Sequence, residues 1–255
     1  MEKYFSQFQQ DKFVDFLFKK EHNKVFLDIG AHDGISFSNT YFFEKYRNWT
    51  GICIEPNPDA FIKLQENRNC ILENSCISDE ETTVTFRKVE GAAKQEMLSG
   101  ILDFFDQKHI NMINTELRLY GGKYTDIVID CKNINSILLK HHIHHIDYCS
   151  IDTEGAEYQI INSIDFDKID ITVLTVENNN KDSAIRKFLR KKNYHYISGG
   201  RNDDFFIKKG TLPVLLFFII TKFYEYHSIV KWFFRAIVRK TLSFFKRENN
   251  SLLKI

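Results

Sequence analysis

The eleven residues KVFLDIGAHDG, Lys24 to Gly34, decide how this chain folds. The apolar run up to Ile29 reads as a short buried strand, and Gly30 and Gly34 bracket the turn that follows it. Glycines between a strand and a helix let the backbone approach a ligand closely and aim the helix N-terminus at it. The middle glycine of G-x-G-x-x-G is missing, and an acid, Asp33, stands inside the turn. Both features count against a pyrophosphate-bearing dinucleotide. Asp28, just before the glycines, can face an ammonium group, directly or through water. Residues 50–54 (TGICI) form a second buried strand, and Glu55 at its tip is positioned to grip the two hydroxyls of a ribose. A ligand with a ribose, an ammonium group and no phosphate describes S-adenosylmethionine. An ordinary glycine-containing turn, followed by a strand that happens to end in an acid, is the alternative.

Outward from this stretch the patterns of strand and helix alternate. An amphipathic helix over 11–20 precedes it. A helix over 36–46, a helix over 59–67, a third strand over 70–77 and an additional strand over 82–89 follow. Residues 91–124 lose the rhythm and read as an inserted substrate cap. It resumes with strand 125–131, helix 133–142, strand 146–151, helix 156–163, strand 171–176 and helix 181–191. The strands at 194–197 and 203–208 are too close for a crossover helix and should pair antiparallel. The expected class is α/β: a doubly wound, mostly parallel sheet with a C-terminal antiparallel hairpin.

Phe26 to Gly34, Ser38-Asn39-Thr40, Trp49-Thr50-Gly51 and Ile54-Glu55-Pro56-Asn57-Pro58 together resemble the FkbM-type methyltransferases. So do Ile151 to Glu157, Val176-Glu177-Asn178 and Asn202 to Phe206, while Ser6-Gln7 and Gln10-Asp11 fit one subgroup. The resemblance spans residues 5–208 and implies a Rossmann-like class I fold that uses S-adenosylmethionine, usually for O-methylation of sugars, glycans or natural products. It implies that Asp28, Gly30, Ala31 and Gly34 form the first cofactor motif. Glu55, with Asn57 in the same motif, would bind the ribose. Ser75, Cys76 and Ile77 would lie beside the adenine. The acid usual near that point is absent, with Asp79 slightly displaced.

Ligands of open α/β sheets lie off the carboxyl ends of the strands. Asp152, Glu154, Glu177 and Asn178 are therefore expected on one rim. A sugar hydroxyl is a weak nucleophile at neutral pH, so a base within hydrogen-bond reach assists methyl transfer. Asp152 is the first choice for that base and His32 the second, because imidazole titrates near neutrality. Glu154 and Glu177 would then fix other hydroxyls. Two further readings stand beside this one. In one, Asp152 or Thr153 caps the next helix, with Glu157 in its first turn. In the other, Asp152 with Glu177 or Asn178 holds Mg²⁺. The histidine run His141-His142-Ile143-His144-His145 reads as a solvated helix end, because no carboxylate or cysteine completes a ligand set nearby, and no metal site is assigned. Ser99, His109, Asn111, Asn114 or Arg118 of the cap would select the acceptor.

Charge divides the chain in two. Residues 208–255 hold ten basic and two acidic side chains, whereas residues 1–207 carry a net charge of −7. Domain boundaries follow: a methyltransferase domain over 1–209 and a basic amphipathic helical tail over 210–255. Polar positions in the tail recur at nearly helical spacing opposite Phe217, Phe218, Trp232, Phe233 and Phe234, as in a helix lying at a membrane surface. Packing on the acidic body or on a second subunit, in a homo-oligomer, is the alternative. Nucleic acid is not expected as a partner, since the body is acidic. Residues 1–10 show no secretory pattern, and five cysteines without a C-x-x-C pair read as reduced core thiols. The expected location is cytoplasmic, peripheral at the inner face of a membrane. A nicotinamide-dependent oxidoreductase and a catalytically silent, membrane-tethered binding module remain as other functions.

Overall fold

The computed structural model describes residues 2–91, 93–179, 181, 183–198 and 202–211. Helix α1 (Gln10–Leu17) leads into β1 (Val25–Ile29), α2 (Tyr41–Arg47), β2 (Thr50–Ile54), α3 (Pro58–Asn67) and β3 (Ile71–Glu73). Next come β4 (Cys76–Ser78), β5 (Thr82–Glu90), α4 (Ala93–Glu96), β6 (Gly100–Ile101), a 3₁₀ turn (Leu102–Phe104), α5 (Gln107–Tyr120) and β7 (Lys123–Asn133). The chain continues through α6 (Ile134–Lys140), β8 (His145–Ile151), α7 (Glu157–Ser163), β9 (Asp170–Glu177) and α8 (Ser183–Lys191). It closes with the hairpin β10 (Tyr194–Ser198) and β11 (Asp203–Lys208).

Seven strands form the main sheet in the order β10-β11-β9-β8-β1-β2-β3. The pairs from β9 through β3 are parallel, and β11 is antiparallel to both β9 and β10. Buried runs without alternation, such as Phe26 to Ile29 and Ile146 to Ile151, fit strands covered on both faces. The chain enters at β1 in the middle, winds out through β2 to β3, and returns to β8 on the other side. The switch point thus falls between β1 and β8, where a crevice opens off their carboxyl ends. Among the described residues all five cysteines are free, and only Cys70 is not fully buried.

Four corrections to the sequence reading concern local chemistry. The strand expected over 70–77 is two strands: Asn74 donates to the carbonyls of Glu55 and Pro56, and after this anchor the chain leaves β2 for a second sheet. The strand expected at 125–131 belongs to that sheet, ordered β4-β7-β5-β6, and not to the parallel one. There β7 pairs antiparallel with β5, from Thr82 opposite Cys131 to Glu90 opposite Lys123. From Ile127 to Cys131 its residues alternate between covered and exposed, as in a sheet with one wet face. The helix expected from 36 starts only at Tyr41. Asp33 Oδ1 accepts from the amides of Ile35 and Ser36, Phe37 adopts a left-handed φ of 56°, and Ser38 Oγ accepts from the Tyr41 amide. Residues 91–124, read as lacking a period, contain the long helix α5. Asp106 caps it by accepting from the His109 amide at 2.7 Å, and Ile110, Ile113, Leu117 and Tyr120 recur along it at helical spacing, with Ile113 its one buried residue. The tail from Leu212 onward lies outside the described residues. Among the described residues no helix is long and apolar enough to cross a membrane.

Candidate active site

The crevice off β1, β2, β8 and β9 is lined by two groups of residues that the sequence set apart. The first group surrounds the turn after β1. The amides of Gly30 and Ala31 donate to Ile54 O, and the Asp152 amide donates to Ile29 O at 3.0 Å. Gly30 has φ 91°, and a Cβ there would lie 1.8 Å from Asp152 O. No other residue type fits so close a crossing. Gly34 is also left-handed, but its missing side chain makes room for Arg68 and Leu64, both 2.7 Å from a Cβ placed there, so it serves packing and does not line the crevice.

Asp28 is buried and accepts from Thr40 Oγ1 at 2.5 Å, and Arg68 Nη2 in turn donates to that hydroxyl. Burial raises its pKa against the opposing pull of the Arg68 charge. Glu55 is likewise raised by burial, while two backbone amides act the other way. Its Oε2 accepts from the His32 amide at 2.7 Å and its Oε1 from the Asn57 amide at 2.8 Å. Each carboxylate oxygen keeps a second acceptor site open. Asn57 does not reach the crevice. Its side chain caps α3 by accepting from the Asp59 amide, and its own amide steadies Glu55. Ser75, Cys76 and Ile77 line the far end, beyond β2.

The second group is acidic. Asp152, Glu154 and Glu177 each bring one carboxylate oxygen within 4.8 Å of the others. Burial pushes Asp152 up to about 7, helped by the negative charges of Asp203 and Glu157, while a hydrogen bond with Glu177 opposes the rise. Burial, then the charge of Asp152, drives Glu154 and Glu177 well above the usual carboxylate range. Carboxylates this close repel one another, and that repulsion acts in the same direction as burial. Three hard oxygens so close also suit a divalent cation. The side-chain amide of Asn178 donates to Asp204 Oδ2 at 2.7 Å.

Asp152 and Thr153 do not cap α7. Glu157 Oε1 accepts from the Thr153 amide, the Thr153 hydroxyl and the Gly155 amide, each at 3.0 Å, and pins the loop from within the helix. Asp152 is thereby left to face the crevice. His32 lines the same crevice on the Glu55 side, its ring 3.8 Å from Asp33 and 3.7 Å from Glu96. No hydrogen bond or ion pair among the described residues joins that ring to the three acids.

From the cap, His109 reaches the acids: Nδ1 lies 3.6 Å from Glu154 Oε2, and Nε2 meets Leu98 O at 3.0 Å. Ser99 lines the crevice, while Asn111, Asn114 and Arg118 sit on the exposed face of α5. Among the lining residues that had no role assigned from sequence are Gln10, Asp203 and Phe37. Gln10 Nε2 donates to Asp203 Oδ2 at 2.5 Å across 193 residues of sequence, and both side chains are buried. Both lay inside motifs that carried the resemblance, which was the available signal. The left-handed Phe37 costs roughly 1 kcal/mol or more in backbone strain, and no sequence signal marks it.

Residues 28–196 match the family model of the methyltransferase FkbM domain. Among solved structures, the chain is similar to methyltransferase FkbM from Methylobacillus flagellatus KT at 12% identity and a TM-score of 0.43, covering 72% of this chain and 43% of that one. It is also similar to M. capricolum TrmK, solved with S-adenosyl-homocysteine, at 10% identity and a TM-score of 0.43, covering 80% and 68% of the two chains. The chain thus spans less than half the length of the Methylobacillus protein. No curated protein matches it. The family match runs from Asp28 in β1 to Tyr196 in β10 and takes in both groups of the crevice: the chain belongs to the FkbM methyltransferase family.

Proposed function

We propose that this chain is an S-adenosylmethionine-dependent O-methyltransferase acting on a sugar hydroxyl of a glycan, a glycolipid or a related small molecule. The contact between Gly30 and the Asp152 backbone carries this reading, because it sets the turn for the cofactor directly against the residue that heads the acidic group. The cofactor end suits a cation that bears a ribose: Asp28 offers an acceptor for the ammonium group and Glu55 one for the ribose hydroxyls. Buried polar atoms without a hydrogen-bond partner fit a ligand rich in donors and acceptors. Four of the five such atoms among the described residues, both ring nitrogens of His32, Asn39 Oδ1 and Ser75 Oγ, are on residues of this crevice; the fifth is His141 Nε2. Asp28, Gly30 and Ala31 would hold the amino-acid end, Glu55 the ribose, and Ser75, Cys76 and Ile77 the adenine.

When bound, the cofactor supplies a methyl group on a positively charged sulfur, already activated for displacement. The protein's task is alignment and removal of one proton. Asp152, with a pKa of about 7, takes the proton from the acceptor hydroxyl, and its conjugate acid releases it to water at neutral pH. Glu154 and Glu177 accept hydrogen bonds from neighbouring hydroxyls and orient the ring, which contributes through proximity. Titration calorimetry with S-adenosylhomocysteine and with NAD tests the cofactor. Transfer of labelled methyl to a panel of glycans and methyl glycosides tests the acceptor. Tight NAD binding without S-adenosylhomocysteine binding contradicts the reading.

The proposal extends to the basic tail, which we assign to the anionic cytoplasmic face of a membrane. Its support is the helical spacing of Lys231, Arg235 and Arg239 opposite an aromatic face. Co-sedimentation with anionic vesicles should fall when these three are replaced by Gln in the full chain; unchanged sedimentation contradicts it.

A further inference from the structure

Phe37 holds an unusual position. It is 41% exposed, although Ser38, Asn39 and Thr40, which follow it, are all buried. Its φ of 56° is left-handed, a conformation bulky side chains avoid. The loop is tied on both sides. Asp33 Oδ1 accepts from the Ile35 and Ser36 amides and Oδ2 from the Ser36 hydroxyl, while the Ser38 amide returns to Ile35 O at 3.2 Å. These bonds hold the ring out of the core and on the lining of the crevice, which it shares with Asp152, Glu154 and Glu177. A strained residue kept in place by its surroundings points to function. Carboxylates that accept from hydroxyls, together with one exposed aromatic face, match the two surfaces of a pyranose: a rim of hydroxyls and a flat face of C–H bonds.

We propose that Phe37 is the platform against which the acceptor sugar lays its C–H face, a residue that sets acceptor specificity and leaves the cofactor untouched. The proposal rests on the reading of the acceptor as a sugar. Saturation-transfer NMR with a set of methyl glycopyranosides, recorded on the full chain saturated with S-adenosylhomocysteine, tests it. In the wild-type protein, saturation should concentrate on the protons of one ring face. Phe37→Ala should weaken glycoside binding roughly five- to tenfold, with S-adenosylhomocysteine affinity within twofold, and Phe37→Trp should retain the contact. Phe37→Gly should lose glycoside affinity as Phe37→Ala does, yet melt a few degrees higher than Phe37→Ala, because glycine accepts the left-handed backbone. Unchanged glycoside affinity and saturation pattern in Phe37→Ala overturns the platform while leaving the sugar reading intact. Absence of any glycoside contact in wild-type protein that binds S-adenosylhomocysteine overturns the sugar reading, and the platform with it.

Discussion

Gly30 and Asp152 meet through their backbones, so closely that a side-chain carbon at position 30 would sit 1.8 Å from the Asp152 carbonyl oxygen. One contact therefore fixes the distance between the turn for the cofactor and the proposed base. Gly30→Ala combines a φ of 91° with a backbone clash and should destabilise the fold by about 2 kcal/mol or more. Urea unfolding measures this. S-adenosylhomocysteine affinity should fall with it, and normal stability together with normal affinity contradicts the proposed role of the contact.

Asp152→Asn keeps the shape of the side chain and removes its basicity. Turnover should drop by roughly 10²- to 10⁴-fold. Binding of S-adenosylhomocysteine should change little, since the proposal assigns the carboxylate to the acceptor. Full activity in this variant removes Asp152 as the base.

Stability and activity should respond to pH in opposite directions. Asp152 is raised from its ordinary value to about 7, so between pH 4 and 7 the folded chain binds more protons than the unfolded one. Stability from this group is fully present below pH 4 and is lost as pH rises through 7. The loss is at most about 4 kcal/mol for a shift of about three units. Activity needs the ionised form and should rise over the same range. Chemical unfolding as a function of pH checks the first statement, and Asp152→Asn should flatten the curve. A stability that rises from pH 5 to 8 with no difference between wild type and variant contradicts it.

His109→Phe removes the contact to Glu154 at 3.6 Å and the bond to Leu98 O. The acceptor KM should rise several-fold with cofactor binding unchanged, and His109→Gln should restore part of the loss. Steady-state kinetics with the best acceptor of the panel measure the split between KM and kcat. Equal KM in all three proteins removes His109 from acceptor binding.

The parallel half of the sheet was legible because strands buried on both faces leave largely apolar runs, interrupted by single polar residues, as in β1, β2, β8 and β9. Asp28, Glu55, Asp152 and Glu177 could be located for the same reason: each lies within or at the end of such a run. Strand β7 misled because its apolar run Ile127-Val128-Ile129 does not tell which sheet it joins. Helix α5 was overlooked: Ile110, Ile113, Leu117 and Tyr120 recur at helical spacing, but Met112 and Leu119 fall off that face and blur the period. Asn57 caps a helix and Gly34 makes room for close packing, roles that use the same residue types as ligand loops. The Gln10–Asp203 bond spans 193 residues, and no local pattern encodes it.

The most direct test of the central claim is calorimetric titration of S-adenosylhomocysteine into the wild-type chain and into Glu55→Gln, with NAD as the control. Saturable binding to the wild type, weakened tenfold or more in Glu55→Gln and absent for NAD, is the predicted result. Binding of NAD without S-adenosylhomocysteine, or equal affinity in the two proteins, would contradict it.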